Sequence, residues 1–418
     1  MSHIKPLGKS LKGRDLIAWR KIEEKAFEED KNYIPFPYGA KEEEEKEYFV
    51  LMEGDNEIGR ASTTIDKVWI RKRGENIGFI DEFAILPEYK KEAGVLIKHC
   101  ISNLKDKKID KIFVRRSPLF PGLLCDPKEP PTFLMPYNPK FYIDIFLKEG
   151  FKVEKEWVET RLRLPASLTD DIPPLFTDTK IKKLFFKSKN PEDFQRHKDD
   201  VLKRLTKKNV PESMIQDVSK AYEFIKKNDS HIVRIDALNI EEMKELSKFE
   251  QDIFLGMEHF GYNPRDFMGS GEVTFSKKMQ LRFTNYLLKI KTIALRRSDN
   301  KLIGYVTYLG NLAAPMLKIR EKKGFLNFFR LLKYARTNDS YMIGGLGIDE
   351  NIRGLGAVRS LFSVVLKIMA DDGVRRLTTG PTLSDNIPVQ KTVEIIIEAY
   401  NLGADKINYV TLSYDLKK

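Results

Sequence analysis

Cysteine, histidine and long apolar runs are all scarce in this 418-residue chain, and each scarcity removes a class of function. Only Cys100 and Cys125 are present, neither with a Cys-x-x-Cys or histidine-rich neighbourhood, and the five histidines are scattered. A disulfide framework and a structural zinc site are therefore disfavoured. Cys100 falls at a helical apolar position and Cys125 in a loop without a paired histidine, which argues against a cysteine nucleophile. No segment reaches the roughly 18 consecutive apolar residues of a membrane span, and the opening Met1-Ser2-His3-Ile4-Lys5 lacks the apolar stretch of a signal peptide. These absences predict a cytoplasmic protein with no metal.

What is present is enough material for more than one core. Hydrophobic residues make up 41% and aromatics 11%, which excludes global disorder. At about 150 residues per domain the length predicts two domains and a connector. The net charge of +12 calls for an anionic partner, whether a nucleotide cofactor, a nucleic acid or an acidic membrane surface.

The pattern along the chain predicts an α/β fold. A helix over 15–30 precedes a β-hairpin, Tyr48–Met52 and Ile58–Ile65. A strand over 78–86, stopped by Pro87, is followed by apolar positions at helical spacing (Val95, Leu96, Cys100, Ile101, Leu104) and a strand at 111–115. A proline-dense loop, 126–142, leads to a helix ending near Gly150 and a strand, 157–164, expected to close this first unit. Prolines 165, 173 and 174 mark a boundary; the polar stretch 193–228 reads as helices broken at Pro211. From His231 the order recurs: strand 232–235, helix 241–254, hairpin 292–297 and 302–309, strand 341–348, a glycine turn, helix 357–372, strand 375–379, and a closing strand, 409–416. The same topology occurs twice, with domains at 1–165 and 231–418 and a helical connector at 166–230.

The sharpest chemical signal is the turn Asn351-Ile352-Arg353-Gly354-Leu355-Gly356-Ala357, set between an apolar strand and a helix. Glycines at 354 and 356 let backbone N–H groups approach an anion, and a helix N-terminus adds its dipole. A Gly-x-Gly turn alone is also a common structural turn. Its surroundings resemble the GNAT superfamily of N-acyltransferases, whose pyrophosphate loop reads Arg/Gln-x-x-Gly-x-Gly/Ala. Asn351 takes the first position in place of Arg or Gln, Gly354 the fourth and Gly356 the sixth. The first half resembles the same superfamily over 47–164, but Ala93 and Val95 replace the two glycines of its turn, where a β-carbon obstructs a phosphate. The resemblance extends to two-lobed bacterial members through Ile58-Gly59-Arg60-Ala61, Gly78-Phe-Ile-Asp-Glu-Phe83 and Pro130-Pro131-Thr-Phe-Leu-Met-Pro-Tyr-Asn-Pro139.

That resemblance implies tandem GNAT folds, each a mixed, mostly antiparallel twisted sheet flanked by helices, with acyl-CoA as co-substrate in the second. It implies Leu346, Gly347, Ile348 and 351–357 as the cofactor-binding stretch. The acceptor is a small polar amine or a long-chain amino lipid, the latter through similarity to ceramide synthase-like bacterial N-acyltransferases. Catalytic candidates are Glu258 and His259 in a loop after the second unit's first helix, Tyr341 on the glycine-rich strand, and Asn386 ahead of the following helix. Glu82, Tyr137, Asn138 and Tyr142 are candidates for the substrate wall, with surface solvation as the alternative for Glu82 and packing between lobes for the other three. A scaffold that has lost catalysis and an aminoacyl-tRNA-dependent transferase are competing readings; nucleic acid is otherwise not an expected partner, and peripheral membrane contact fits the basic charge.

Overall fold

The computed structural model describes residues 2–34, 44–67, 70–71, 74–117, 120, 122–127, 130–164, 191–207, 212–235, 239–254, 283–320, 326–353, 358, 365–366, 369, 373–399 and 401–417. The first half runs β1 (Ser2–Gly8), α1 (Gly13–Ala26), β2 (Glu44–Glu53), β3 (Asn56–Asp66), β4 (Ile77–Ile85), α2 (Ala93–Asp106), β5 (Lys111–Arg115), β6 (Leu123–Leu124), α3 (Phe141–Lys148) and β7 (Lys152–Arg163). Two helices, α4 (Pro191–Lys207) and α5 (Glu212–Lys227), lead to the second half. It runs β8 (Ser230–Ile235), α6 (Ile240–Phe254), β9 (Lys291–Arg297), β10 (Leu302–Gly310), α7 (Ala313–Ile319), α8 (Leu326–Arg336), β11 (Ser340–Ile348), β12 (Arg376–Leu383), α9 (Ile387–Ala399) and β13 (Gly403–Asp415).

Thirteen strands join in one sheet, in the order β1-β2-β3-β4-β5-β13-β7-β12-β11-β10-β9-β8, with β6 pairing on β13. The repeat predicted from element order is present: β1 to β5 and β8 to β12 run outward to inward from opposite ends. It reaches single residues. Gly59 faces Ile85 across the ladder and Gly304 faces Ile348. A Cβ on either glycine would come within 2.7 Å of that isoleucine's Cδ1.

The closing strands are where the fold departs from the sequence reading. β7, expected to close the first unit, pairs with β12 of the second half on one side and β13 on the other. β13, expected to close the second, lies between β5 and β7. Each half thus gives its last strand to the other. Alternating hydrophobicity says that a strand is half-buried and nothing about its neighbour. The cores follow the exchange: Tyr409, Val410 and Leu412 of β13 pack with Phe83, Tyr142 and Trp157, while Leu162 and Leu164 pack with Ile293, Tyr341 and Leu377. The connector is equally committed, since Leu205, Val218, Tyr222 and Ile225 belong to that second core.

Candidate functional site

In each half the fourth and fifth strands run parallel and then part. In the second half β11 and β12 pair only from Ser340↔Arg376 to Met342↔Thr378. The cause lies in β12. Its register against β7 shifts between Thr378 and Pro381, and Gly380 there has φ +74°, a conformation that L side chains resist. The bulge turns β12 aside, and a Cβ on Gly380 would sit 3.4 Å from the Ile343 carbonyl oxygen. β11 carries its own bulge: Thr307 pairs with Gly345 and Tyr308 with Ile343, leaving Gly344 as the extra, exposed residue. Among the described residues no strand ladders to the edge of β11 away from β10 from Ile343 to Ile348, so the two strands part there and leave an opening.

The turn follows this edge directly. Asp349 caps a short 3₁₀ turn (Glu350–Ile352), accepting from the Asn351 N–H at 3.0 Å and from Asn351 Nδ2 at 2.8 Å on the same oxygen. The Asn351 side chain is thus turned back onto its own loop. Arg353 is exposed and donates from Nε to the Ile348 carbonyl at 3.1 Å, which fixes the guanidinium at the end of β11. Leu346 and Ile352 pack their side chains onto the second core, and Ile348 is buried within it. Gly354, Leu355, Gly356 and Ala357 lie outside the described residues, as do Glu258 and His259.

Tyr341 lies on the paired part of β11, below the opening. It is 2% exposed, its ring 6.0 Å from that of Tyr308 and under Lys289 Nζ at 5.9 Å. That position makes it a core residue, not a group that meets a substrate. Asn386 stands half-buried ahead of α9, its carbonyl accepting from Val389 and Gln390 as the helix starts.

The corresponding opening in the first half is filled from within. β4 and β5 pair from Ile77↔Lys111 to Asp81↔Arg115, and β4 then bulges around Glu82, whose φ is +52°. Beyond that point Arg116 Nη1 donates to the Phe83 carbonyl at 2.7 Å, and the Ile85 N–H donates to the Tyr142 hydroxyl at 3.2 Å. Glu23 of α1 pairs with both Arg116 and Arg60, and Arg60 also stacks on Trp19. Burial opposes ionisation of Glu23, but the two guanidiniums together hold its carboxyl below the usual range. Burial pushes the Tyr142 phenol up to about 12.

The four residues expected at a substrate wall all have internal partners. Glu82 accepts from Lys46 at 2.8 Å, with both side chains buried. The Tyr137 hydroxyl donates to Asp30, 2.7 Å from Oδ1, and Asn138 bridges the N–H and carbonyl of Leu124 at 2.7 and 3.1 Å. With Tyr142 fully buried as well, these side chains shape the interior of the first half. Burial, with Glu156 and Asp126 adding to it, raises the Cys125 thiol to about 11, so a thiolate is disfavoured as the sequence implied.

One polar cluster escaped the sequence reading. Glu159 of β7, fully buried opposite Pro381 of the β12 bulge, accepts from Thr132 at 2.6 Å, Arg161 at 3.1 Å and the Tyr409 hydroxyl at 3.0 Å. Burial and then the Glu159 charge raise the Tyr409 phenol well above its ordinary value. Nearby, the Phe133 N–H donates to Asn311 at 2.9 Å. The seam between halves is thus polar and satisfied. Its only trace in the sequence is Gly380-Pro381 inside a strand, a pairing that marks a bulge.

A parallel pair that opens after a few rungs, beside a bulged fourth strand that runs into a short 3₁₀ turn, occurs twice here and is the arrangement of a GNAT fold. Two solved structures share that architecture. A tandem GNAT protein from the clavulanic acid biosynthesis pathway (without AcCoA) aligns over 99% of this chain and 98% of its own, at 11% identity and a TM-score of 0.50. A GCN5-related glucosamine N-acetyltransferase region of a fungal multi-domain GH3 β-N-acetylglucosaminidase aligns over 99% of this chain at 12% identity and a TM-score of 0.53; the match spans 38% of that longer chain. No family model and no curated protein matches the sequence. The chain has the tandem GNAT fold. Among the described residues no helix is long and apolar enough to cross a membrane, and no group of His, Cys, Asp and Glu is placed to hold a metal ion.

Proposed function

We propose that this protein is an N-acyltransferase that takes its acyl group from a CoA thioester bound along β11 of the second half. The observation that carries the reading is the contrast between the two openings. In the first half, Arg116 and Tyr142 occupy the polar edge of β4; in the second, no strand among the described residues ladders to the edge of β11 from Ile343 onward, and an exposed guanidinium follows it. The open edge fits the amide-bearing arm of CoA, which pairs with a strand as another strand would. Arg353 and the glycine turn that follows fit its pyrophosphate, and Arg353 supplies the cation that Asn351 does not.

In this reading 231–418 is the acyl-CoA unit, 1–165 a supporting unit and 166–230 the connector between them. Acyl-CoA, when bound, would supply an activated thioester carbonyl and, as the amide bond forms and the C–S bond breaks, leave as the CoA thiol. The chain's part is to hold that carbonyl against the Gly344 bulge, where a backbone N–H released from the ladder stabilises negative charge as an amine adds. Glu258 and His259 are the candidates to take the ammonium proton.

Titration calorimetry with CoA, acetyl-CoA and a long-chain acyl-CoA tests the donor site, and one site per chain is expected. Release of free thiol in the presence of polar amines and of long-chain amino lipids then tests transfer and separates the two acceptor classes. Absence of CoA binding overturns the proposal; binding without transfer to either acceptor class overturns its catalytic half and favours a scaffold.

A further inference from the structure

Helix α8 is mostly apolar, Leu326-Asn-Phe-Phe-Arg-Leu-Leu-Lys-Tyr-Ala-Arg336, yet Ala335 is the side chain it buries fully. Leu326 and Phe329 are 61% and 53% exposed, and Phe328 is exposed beside them. The turn at 283–288 adds to the same surface. Phe283 stacks on Phe328 with centroids 5.4 Å apart, and Lys289 Nζ reaches the Arg336 carbonyl at 2.8 Å, so the turn is pinned to both ends of the helix. Tyr286 between those anchors is 61% exposed. Large apolar side chains are thus gathered on one surface, where single scattered ones would need no explanation.

The charge on the helix itself has one sign. Helix α8 carries Arg330, Lys333 and Arg336 and no carboxylate, while Asp339 beyond its end is paired with Arg376 and Glu321 before it lies outside the described residues. Arg320 is spent inward, on the carbonyls of Phe27, Asp30 and Tyr33. Arg330, Lys333 and Arg336 recur every three residues, behind the apolar tip formed by Leu326 and Phe329. An apolar tip with a cationic rear on one helix face matches the boundary of an anionic bilayer, where the rings enter the acyl layer and the cations meet phosphates. Single-stranded nucleic acid would need free ring faces to stack on, and Phe283 and Phe328 already spend one face each on the other.

We infer that α8 and the turn at 283–288 dock this protein on an anionic membrane surface. The helix passes into the paired end of β11 through Thr337, Asn338 and Asp339. The inference stands on surface chemistry and is independent of whether the opening transfers an acyl group.

Co-sedimentation of the full chain with vesicles of equal parts phosphatidylglycerol and phosphatidylcholine, against vesicles of phosphatidylcholine alone, tests it. Binding to the anionic vesicles only is expected. A double variant, Phe328→Ser with Phe329→Ser, and a triple variant, Arg330→Gln with Lys333→Gln and Arg336→Gln, should each bind about tenfold more weakly or less. Because the altered side chains are mostly exposed, far-UV circular dichroism and melting temperature should stay near the parent's and separate this loss from misfolding. Phe329→Trp should show a blue-shifted emission on the anionic vesicles that brominated lipid quenches. Absence of anionic-vesicle binding, parental binding by both variants, or an unshifted Phe329→Trp spectrum overturns the proposal. So does single-stranded RNA binding that the double variant loses while vesicles go unbound, or a self-association that the double variant abolishes in their place.

Discussion

The Tyr142 hydroxyl accepts the Ile85 N–H at 3.2 Å, a side chain of α3 standing where a strand or a ligand would pair with the end of β4. The same phenol is fully buried, its ring 5.0 Å from Phe83 and packed edge-on. The first half therefore keeps the parted strands of its fold while satisfying their polar groups internally. What differs between the halves is how the exposed backbone of the fourth strand is satisfied.

Tyr142→Phe keeps the ring and removes the acceptor. It leaves the Ile85 N–H buried without its partner, so unfolding in urea should show a loss of about 1–3 kcal/mol. CoA stoichiometry should stay at one per chain in the variant, because Arg116 still occupies the Phe83 carbonyl. A second CoA site appearing in Tyr142→Phe would mean that the phenol alone closes the first half.

The exchange of closing strands predicts an effect at long sequence range. Removing residues 403–418 deletes β13, the neighbour of β5 and β7, and with it Tyr409, Val410 and Leu412 from the core that holds Phe83 and Trp157. Hydrogen exchange should show protection lost across β4 and β5, near residues 77–115, although the deletion lies at the far end of the chain. Native protection there in the truncated chain would contradict the observed strand order.

Element order and the repeat were legible in the sequence because helical and strand periods are strong in segments such as 93–106 and 77–85. The hairpin at 44–66 was legible for the same reason. Partner choice was not: β7 and β13 each read as a final strand, and the exchange depends on which edges meet. Tyr137, Asn138 and Tyr142 have their partners inside the first half, which spacing could not show. Spacing gave Asn351 its place in the turn; only geometry shows Asp349 taking up its side chain. Strand β1 and helices α7 and α8 left no mark strong enough to predict.

Beneath β4, Asp81 holds Arg115 through two hydrogen bonds of 2.8 and 2.7 Å and accepts from Thr64 at 2.7 Å. Burial works against its ionisation, but Arg115 foremost, with Lys46 and Thr64, brings the carboxyl below its ordinary value of 3.8. A carboxyl depressed in the folded state contributes stability above the unfolded value and loses it as pH falls through the folded one. Unfolding free energy should therefore decline as pH falls below about 4. Asp81→Asn should flatten that decline while costing about 1–3 kcal/mol at neutral pH, since the charge-assisted hydrogen bonds to Arg115 weaken while Asp66 still faces that guanidinium at 3.6 Å. An acid limb as steep in the variant as in the parent would assign the effect to other carboxyls, Glu23 first.

The turn after β11 makes opposite predictions for two residues two positions apart. Asn351 directs its amide to Asp349, and Asp349 already caps the turn through the Asn351 N–H, so Asn351→Ala leaves the cap in place. Its CoA affinity should stay within about twofold of the parent's. Arg353 is exposed and, among the described residues, is held through Nε to the Ile348 carbonyl. A charge-assisted contact to a phosphate there is worth about 1.5–3 kcal/mol, so Arg353→Ala should weaken CoA binding by about tenfold or more. Arg353→Lys should restore part of the loss, because the charge returns without the fork that fixes it to β11. Calorimetry at two salt concentrations checks the assignment: the difference between parent and Arg353→Ala should shrink as ionic strength rises. Equal affinities for Asn351→Ala and Arg353→Ala would remove Arg353 from the phosphate site and leave the backbone of the turn as its sole anion holder.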